Sequence, residues 1–293
     1  MRVCRFDDDR VGLVRGDVIH DITGVLAHLP AVPFPAPWGD PLIAGLASMR
    51  DTMERLADDA PRRAVGEVRL LSPVARPSKI IGTPANYRAH ADEARQDHEM
   101  AQYAAAQGHT IEEQGLFLKA VTALVGPSEG VSIKFTDRRT EHEAELGVVI
   151  GREGVDIPQA RALDYVAGYA VALDMVVRGP EDRSLRKSLD SFAVLGPWLV
   201  TPDELGDPQN LDFTLAVNGQ VRQRANTRDM ILDVRRQIAW ASTFYTLYPG
   251  DILMTGTCEG VGPVRSGDQM QVEFERIGAM RVGVRAWTRP EPA

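Results

Sequence analysis

Apolar and polar positions follow two periods along this chain, one of strand type and one of helix type. VCRF, VGLV and VIHDI near the N-terminus are short apolar runs separated by Asp-rich and Gly-Asp turns. They predict a small antiparallel meander. The proline-rich PAVPFPAPWGDP that follows suits a loop, not a helix or a central strand. Leu42, Ile43, Leu46, Met49, Met53 and Leu56 then recur at helical spacing and predict one amphipathic helix. Ser72 to Lys79 has two prolines and no periodicity. It reads as a linker, so residues 1–72 are expected to form a small N-terminal domain and 73–293 the main one.

Strand patterns dominate the rest. Lys79–Gly82, Leu116–Ala123, the end of Gly126–Ile133, Glu141–Gly151 and Val166–Val177 are apolar runs of strand type. LDFTLAVNGQVRQRA predicts a hairpin on an Asn218-Gly219 type I′ turn, and two strands follow around Ile277-Gly278. Thr227 to Tyr245 alternates apolar and charged residues at helical spacing, predicting a structural helix. Many strands and few long helices give a mainly β (α+β) fold.

Composition narrows the function classes. The 293 residues are 44% hydrophobic and 25% charged, as in soluble globular proteins. A net charge of -8 argues against nucleic acid or an anionic membrane as partner, but not against a small anionic substrate. Cys4 and Cys258 are far apart and in no metal-like spacing, so a reducing cytoplasm is expected. The N-terminus lacks the apolar core of a signal peptide, and no apolar run approaches the roughly 20 residues of a membrane span.

The candidate chemistry lies in EHEAELGVVIG, Glu141 to Gly151. On a strand, Glu143 and Glu145 point the same way and repel unless something cationic lies between them. A solvated acidic face is the alternative. Asp174 is the lone charge in VAGYAVALDMVV, where a carboxylate needs a partner or a metal. Three carboxylates without Cys or His suit Mg²⁺ or Mn²⁺. His90 and Glu93 in H-x-x-E order would meet on one helical face, as a solvated pair or as a carboxylate-oriented base.

NYRAHADEA, FLKAVTALVGP, HEAELGVVIG, GYAVALDMVVR, RKSLDSFAVLGPWLVT and PGDILMTGTCEGVGPV, in this order from about residue 78 on, resemble the fumarylacetoacetate hydrolase family. The resemblance implies a β-roll catalytic domain, a homodimer, and a metal held by Glu143, Glu145 and Asp174. It implies that His90 and Glu93 activate water and that Lys187 stabilises negative charge. Arg178, Thr257, Lys119 and Tyr87 are expected at the substrate, Thr257 at its carboxylate. The implied reaction is hydrolytic C–C cleavage of a 2,4-diketo acid such as an acylpyruvate, through a metal-held enolate. Isomerase or decarboxylase action on a related 2-oxo acid is the alternative, and a binding module without turnover a third. Two positions depart from the family: Glu181 stands where a Gln is common, and Cys258 where Pro is often found.

Arg95 to Gly115 is polar, contains His98 and His109, and resembles the mobile cover of the family site. A helical lid near residues 90–115 is expected there, a plain surface insertion being the alternative. For Lys119 the alternative is a lysine reaching to solvent, for Lys187 a surface Arg-Lys pair, and for the Gly-rich turn at Thr257 a simple strand connection.

Overall fold

The computed structural model of the protein describes residues 1–96 and 109–288. The predicted meander forms, as strands Arg2–Phe6, Arg10–Arg15 and Val18–Asp21 with Val3 opposite Leu13 and Leu13 opposite His20. It continues the main sheet. Arg2–Phe6 pairs antiparallel with Ala193–Val200, placing Arg2 opposite Val200 and Val3 opposite Leu199. From there the sheet runs through Val166–Asp174, Ala144–Ile150, Ile252–Met254 and Ile80–Gly82 to Phe117–Lys119. The expected division near residue 72 therefore runs through one continuous sheet.

Apart from Glu145 and Asp174, the central strands carry few polar side chains, because both faces are covered. Ala144–Ile150 and Ala193–Val200 are buried throughout. One face packs Ala170, Ala172, Leu195 and Ile252 against Leu42, Ile43, Leu46, Met49 and Met53. The other face packs Leu146, Val148, Val171 and Leu173 against Phe213, Leu215, Val272 and Val282 of a second, five-stranded sheet. In that sheet Asp212–Val217 and Gln220–Asn226 form the predicted hairpin, with Asn218 at φ 50° and Gly219 at φ 80°. Both central residues of a type I′ turn need this left-handed geometry.

Two helix expectations change. The run from Leu42 to Leu56 splits into Pro41–Gly45 and Arg50–Asp58. Asp40 caps the first, accepting from Leu42 N at 2.9 Å and Ile43 N at 3.2 Å. The helix expected from Thr227 starts only at Val234, capped by Asp233, which accepts from Arg236 N at 2.7 Å. Asn86 draws the preceding residues out of helical geometry: Ile231 N donates to its backbone oxygen at 2.8 Å and Leu232 N to its side chain at 2.7 Å. The mainly β class stands, with short helices at the sheet ends.

Candidate metal centre and active site

Sheet register brings the acidic residues together. Glu143 sits at the break between strands Thr140–His142 and Ala144–Ile150, and Asp174 N donates to its carbonyl oxygen at 2.9 Å. Glu145 lies opposite Ala172, so it shares a face with Asp174 two residues on. Carboxylate oxygens of Glu143, Glu145 and Asp174 lie within 4.8 Å of one another, and all three residues are buried. The solvated-face alternative is excluded by that burial.

Two lysines enter from neighbouring elements. Lys187 ends the short helix Arg183–Lys187 and places Nζ 2.6 Å from Glu143 Oε2 and 2.5 Å from Asp174 Oδ2. Lys119 ends strand Phe117–Lys119, pairs with Asp174 Oδ1 and donates to Met175 O at 3.3 Å. Both lysines are buried, so the surface alternatives for them are excluded. Burial favours the neutral form of Glu143, but Lys187 and then Arg178 outweigh it and hold the carboxyl well below its usual range. Glu145 goes the other way. Burial, then the Asp174 charge, push it well above the usual range, and Lys187 opposes this only in part. Its one hydrogen bond comes from Gly256 N at 2.8 Å, and among the described residues no cation pairs with it. An all-oxygen donor set with one buried carboxylate lacking a counter-charge fits a hard dication such as Mg²⁺ or Mn²⁺. Glu141 belongs to a different group, ion-paired with Arg178 and Arg139.

His90 and Glu93 lie one turn apart on helix Arg88–Gln96, with His90 Nδ1 3.3 Å from Glu93 Oε2. Gly260 N donates to both Glu93 oxygens, at 3.0 and 3.2 Å. Burial raises the Glu93 carboxyl, but His90 and the Gly260 N–H overcome it and hold it below its usual value. Gly260 has φ 87°, and a Cβ there would lie 2.0 Å from Arg222 O, so the loop that fixes Glu93 requires glycine. With Nδ1 donating to Glu93, Nε2 of His90 carries the free lone pair.

One cleft of about 60 Å³ is lined by His90, the three carboxylates, Arg178, Lys187 and Thr257. Lys119 lies beneath it, against Asp174. Tyr87 does not line it: the ring is buried edge-to-face on Phe213 at 6.2 Å, in the core. Glu181 is outside it too, with its two oxygens 3.0 and 2.7 Å from Arg138. The Glu at the family Gln position therefore adds no charge to the cleft lining. The Thr257 hydroxyl donates to Ala144 O at 2.8 Å and accepts from Gln223 Nε2 at 2.8 Å. Cys258 is buried and its thiol is pushed up to about 12 by burial, so it is held as an inert thiol.

Of the expected lid, residues 97–108, including His98, lie outside the described residues. On its far side Ile111–Gln114 is a short helix with a Thr110–Glu113 capping box, His109 is exposed, and Gln114 reaches the cleft. Sequence reasoning missed Gln114, Phe117, Arg183 and Arg186 in the cleft wall. It also missed Gln223, whose Oε1 accepts from Ala144 N at 3.0 Å and faces His142 Nδ1 at 3.1 Å.

The family model described as fumarylacetoacetate hydrolase C-terminal matches residues 79–285. The chain is 49% identical to a maleylpyruvate hydrolase of Aquipseudomonas alcaligenes, over 98% of this chain and 100% of the relative. It is 37% identical to a mitochondrial oxaloacetate tautomerase of Rattus norvegicus, over 77% of this chain and 72% of that protein. The crystal structure of maleylpyruvate hydrolase from Sphingobium sp. SYK-6, in complex with manganese(II) and pyruvate, superposes with a TM-score of 0.82. It has 39% identity and covers 98% of this chain and 100% of that one.

Proposed function

The chain belongs to the fumarylacetoacetate hydrolase family, and from that premise we propose that it is a divalent-metal-dependent hydrolase of 2,4-diketo acids of the acylpyruvate type. The observation that carries this reading is one cleft lined by both a buried carboxylate triad and a histidine held by a glutamate. Glu143, Glu145 and Asp174 would hold Mg²⁺ or Mn²⁺, which when bound supplies a Lewis acid beside the 2-oxo acid. His90 Nε2 accepts a proton from water while Glu93 orients the ring and stabilises its charged form. The oxygen adds to the acyl carbonyl, and the bond between that carbon and C3 breaks. The electron pair passes into the pyruvate half as an enolate, near the Lys187 ammonium, and protonation completes pyruvate and a carboxylic acid.

Pyruvate release from acylpyruvates in metal-controlled buffer, with Mn²⁺ or Mg²⁺ restored, tests the reading. Metal-dependent keto–enol interconversion of a 2-oxo acid without pyruvate release would replace it by the tautomerase reading, which the rat relative supports. A homodimer and a cytoplasmic location complete the proposal. The family supports the first. Two free thiols support the second, and no helix among the described residues is long and apolar enough to cross a membrane.

A further inference from the structure

Arg183 opens the short helix that ends in Lys187, and it is placed unlike Lys187, Lys119 and Arg178. Lys187, Lys119 and Arg178 each pair with a carboxylate. Arg183 makes no ion pair among the described residues. Its Nη2 donates to the neutral Gln114 Oε1 at 3.0 Å, and its guanidinium carbon lies 5.4 Å from the centre of the Phe117 ring. The remaining guanidinium N–H groups have no protein acceptor among the described residues. Nearby carboxylates are engaged elsewhere: Glu143 and Asp174, whose charges reach Arg183, are both bonded by Lys187. Glu181 is held by Arg138, and Asp182 accepts from Ser184 N at 2.8 Å as the helix cap. Arginine keeps its proton under any physiological condition, so a half-buried guanidinium with no carboxylate paired to it among the described residues is a standing electrostatic demand.

Its position says where that demand is met. Arg183, Gln114 and Phe117 line the inner cleft together with the carboxylate triad, and they also line an outer cavity of about 570 Å³. They form the wall between the two. A diketo acid with its 2-oxo acid end at the triad has its acyl end free to turn toward this wall. A guanidinium presents paired N–H groups in the plane that matches a carboxylate.

Resting on the hydrolase reading above, we propose that Arg183 binds a second carboxylate at the acyl end of the substrate, so that the preferred substrates are acylpyruvates whose acyl group is itself an acid. Gln114 orients the guanidinium from one side and Phe117 supports its face from the other.

The test compares kcat/KM for maleylpyruvate, which carries the second carboxylate, and acetylpyruvate, which lacks it. Wild type, Arg183→Gln and Arg183→Lys are assayed with Mn²⁺ at controlled concentration. Wild type is expected to prefer maleylpyruvate. Arg183→Gln should lower that preference by about 10- to 100-fold, the range for a lost charge-assisted hydrogen bond, with most of the change in KM. Arg183→Lys should retain part of the preference, since it keeps a point charge without the fork. Activity on acetylpyruvate reports that each variant is folded and metal-loaded. Equal loss on both substrates, or a wild type without preference, would overturn this inference alone. No turnover of either substrate by wild type would overturn the hydrolase reading and this inference with it.

Discussion

Gln223 donates a 2.8 Å hydrogen bond to Thr257, and both side chains are buried. The same amide accepts from Ala144 N at 3.0 Å and donates to Cys258 O at 2.9 Å. One side chain from the second sheet thus ties the start of the glutamate strand to the Gly-rich turn opposite. Gln223→Ala leaves a buried N–H and a buried carbonyl unsatisfied and opens a cavity. It should cost about 2–4 kcal/mol of stability. Urea unfolding monitored by fluorescence measures this. A change within error would mean that the network is dispensable.

His90→Ala should lower metal-dependent hydrolysis by about 100- to 10,000-fold, the usual contribution of a positioned base. Metal affinity should be nearly unchanged, because His90 is outside the carboxylate triad. Steady-state assays paired with Mn²⁺ titration separate the two effects. Near-normal turnover would assign water activation to another group.

Glu145 links metal affinity to pH. Its carboxyl is pushed up by burial and Asp174, so the metal-free protein retains a proton above the ordinary glutamate range near ~4.3. Metal binding must displace that proton, so Mn²⁺ affinity should tighten as pH rises through this window. The sign for stability is the reverse. A folded-state pKa above the unfolded one means that metal-free stability is lost as pH rises through the same window. Calorimetry in two buffers of different ionisation enthalpy counts the released proton. Flat affinity without proton release would remove Glu145 from the ligand set.

Lys187→Met removes the cation shared by Glu143 and Asp174. Losing one partner of a buried ion pair typically costs about 3–5 kcal/mol, and Lys119 on Asp174 and Arg178 at 3.8 Å from Glu143 offset part of it, so the metal-free variant should melt below wild type. Mn²⁺ should restore more of the melting temperature in the variant than in wild type, since it replaces the missing charge. Hydrolysis should stay low even with metal restored. Thermal melts with and without Mn²⁺ decide this, and equal metal effects in both proteins would contradict it.

The carboxylate triad was readable because a period-two acidic pattern and one charge in an apolar run are local signals. The His90–Glu93 spacing was readable for the same reason. Gln223 was not: it sits among the exposed polar residues of Gln220–Asn226, and its partners are 34 to 81 positions away in the chain. Tyr87 shows the opposite error. It lies inside a site motif, yet packing against Phe213 takes its ring into the core. The late helix start at Val234 is also a tertiary effect, since Asn86 captures the backbone ahead of it. Arg183 had no local signal, because what distinguishes it is that no carboxylate among the described residues pairs with it.

The pairing of Arg2–Phe6 with Ala193–Val200 bears on how small a working fragment can be made. A chain cut back to residues 79–285 would keep every candidate metal ligand and the histidine. It would also strip the cover from the Leu199–Val200 end of a strand that lies next to the one carrying Asp174. An uncovered, apolar strand edge recruits other chains. Such a fragment should therefore self-associate and lose soluble yield, and adding the N-terminal 72 residues back as a separate polypeptide should suppress the aggregation. Light scattering of the fragment with and without that polypeptide measures this. A monodisperse fragment would show that the meander can be dispensed with.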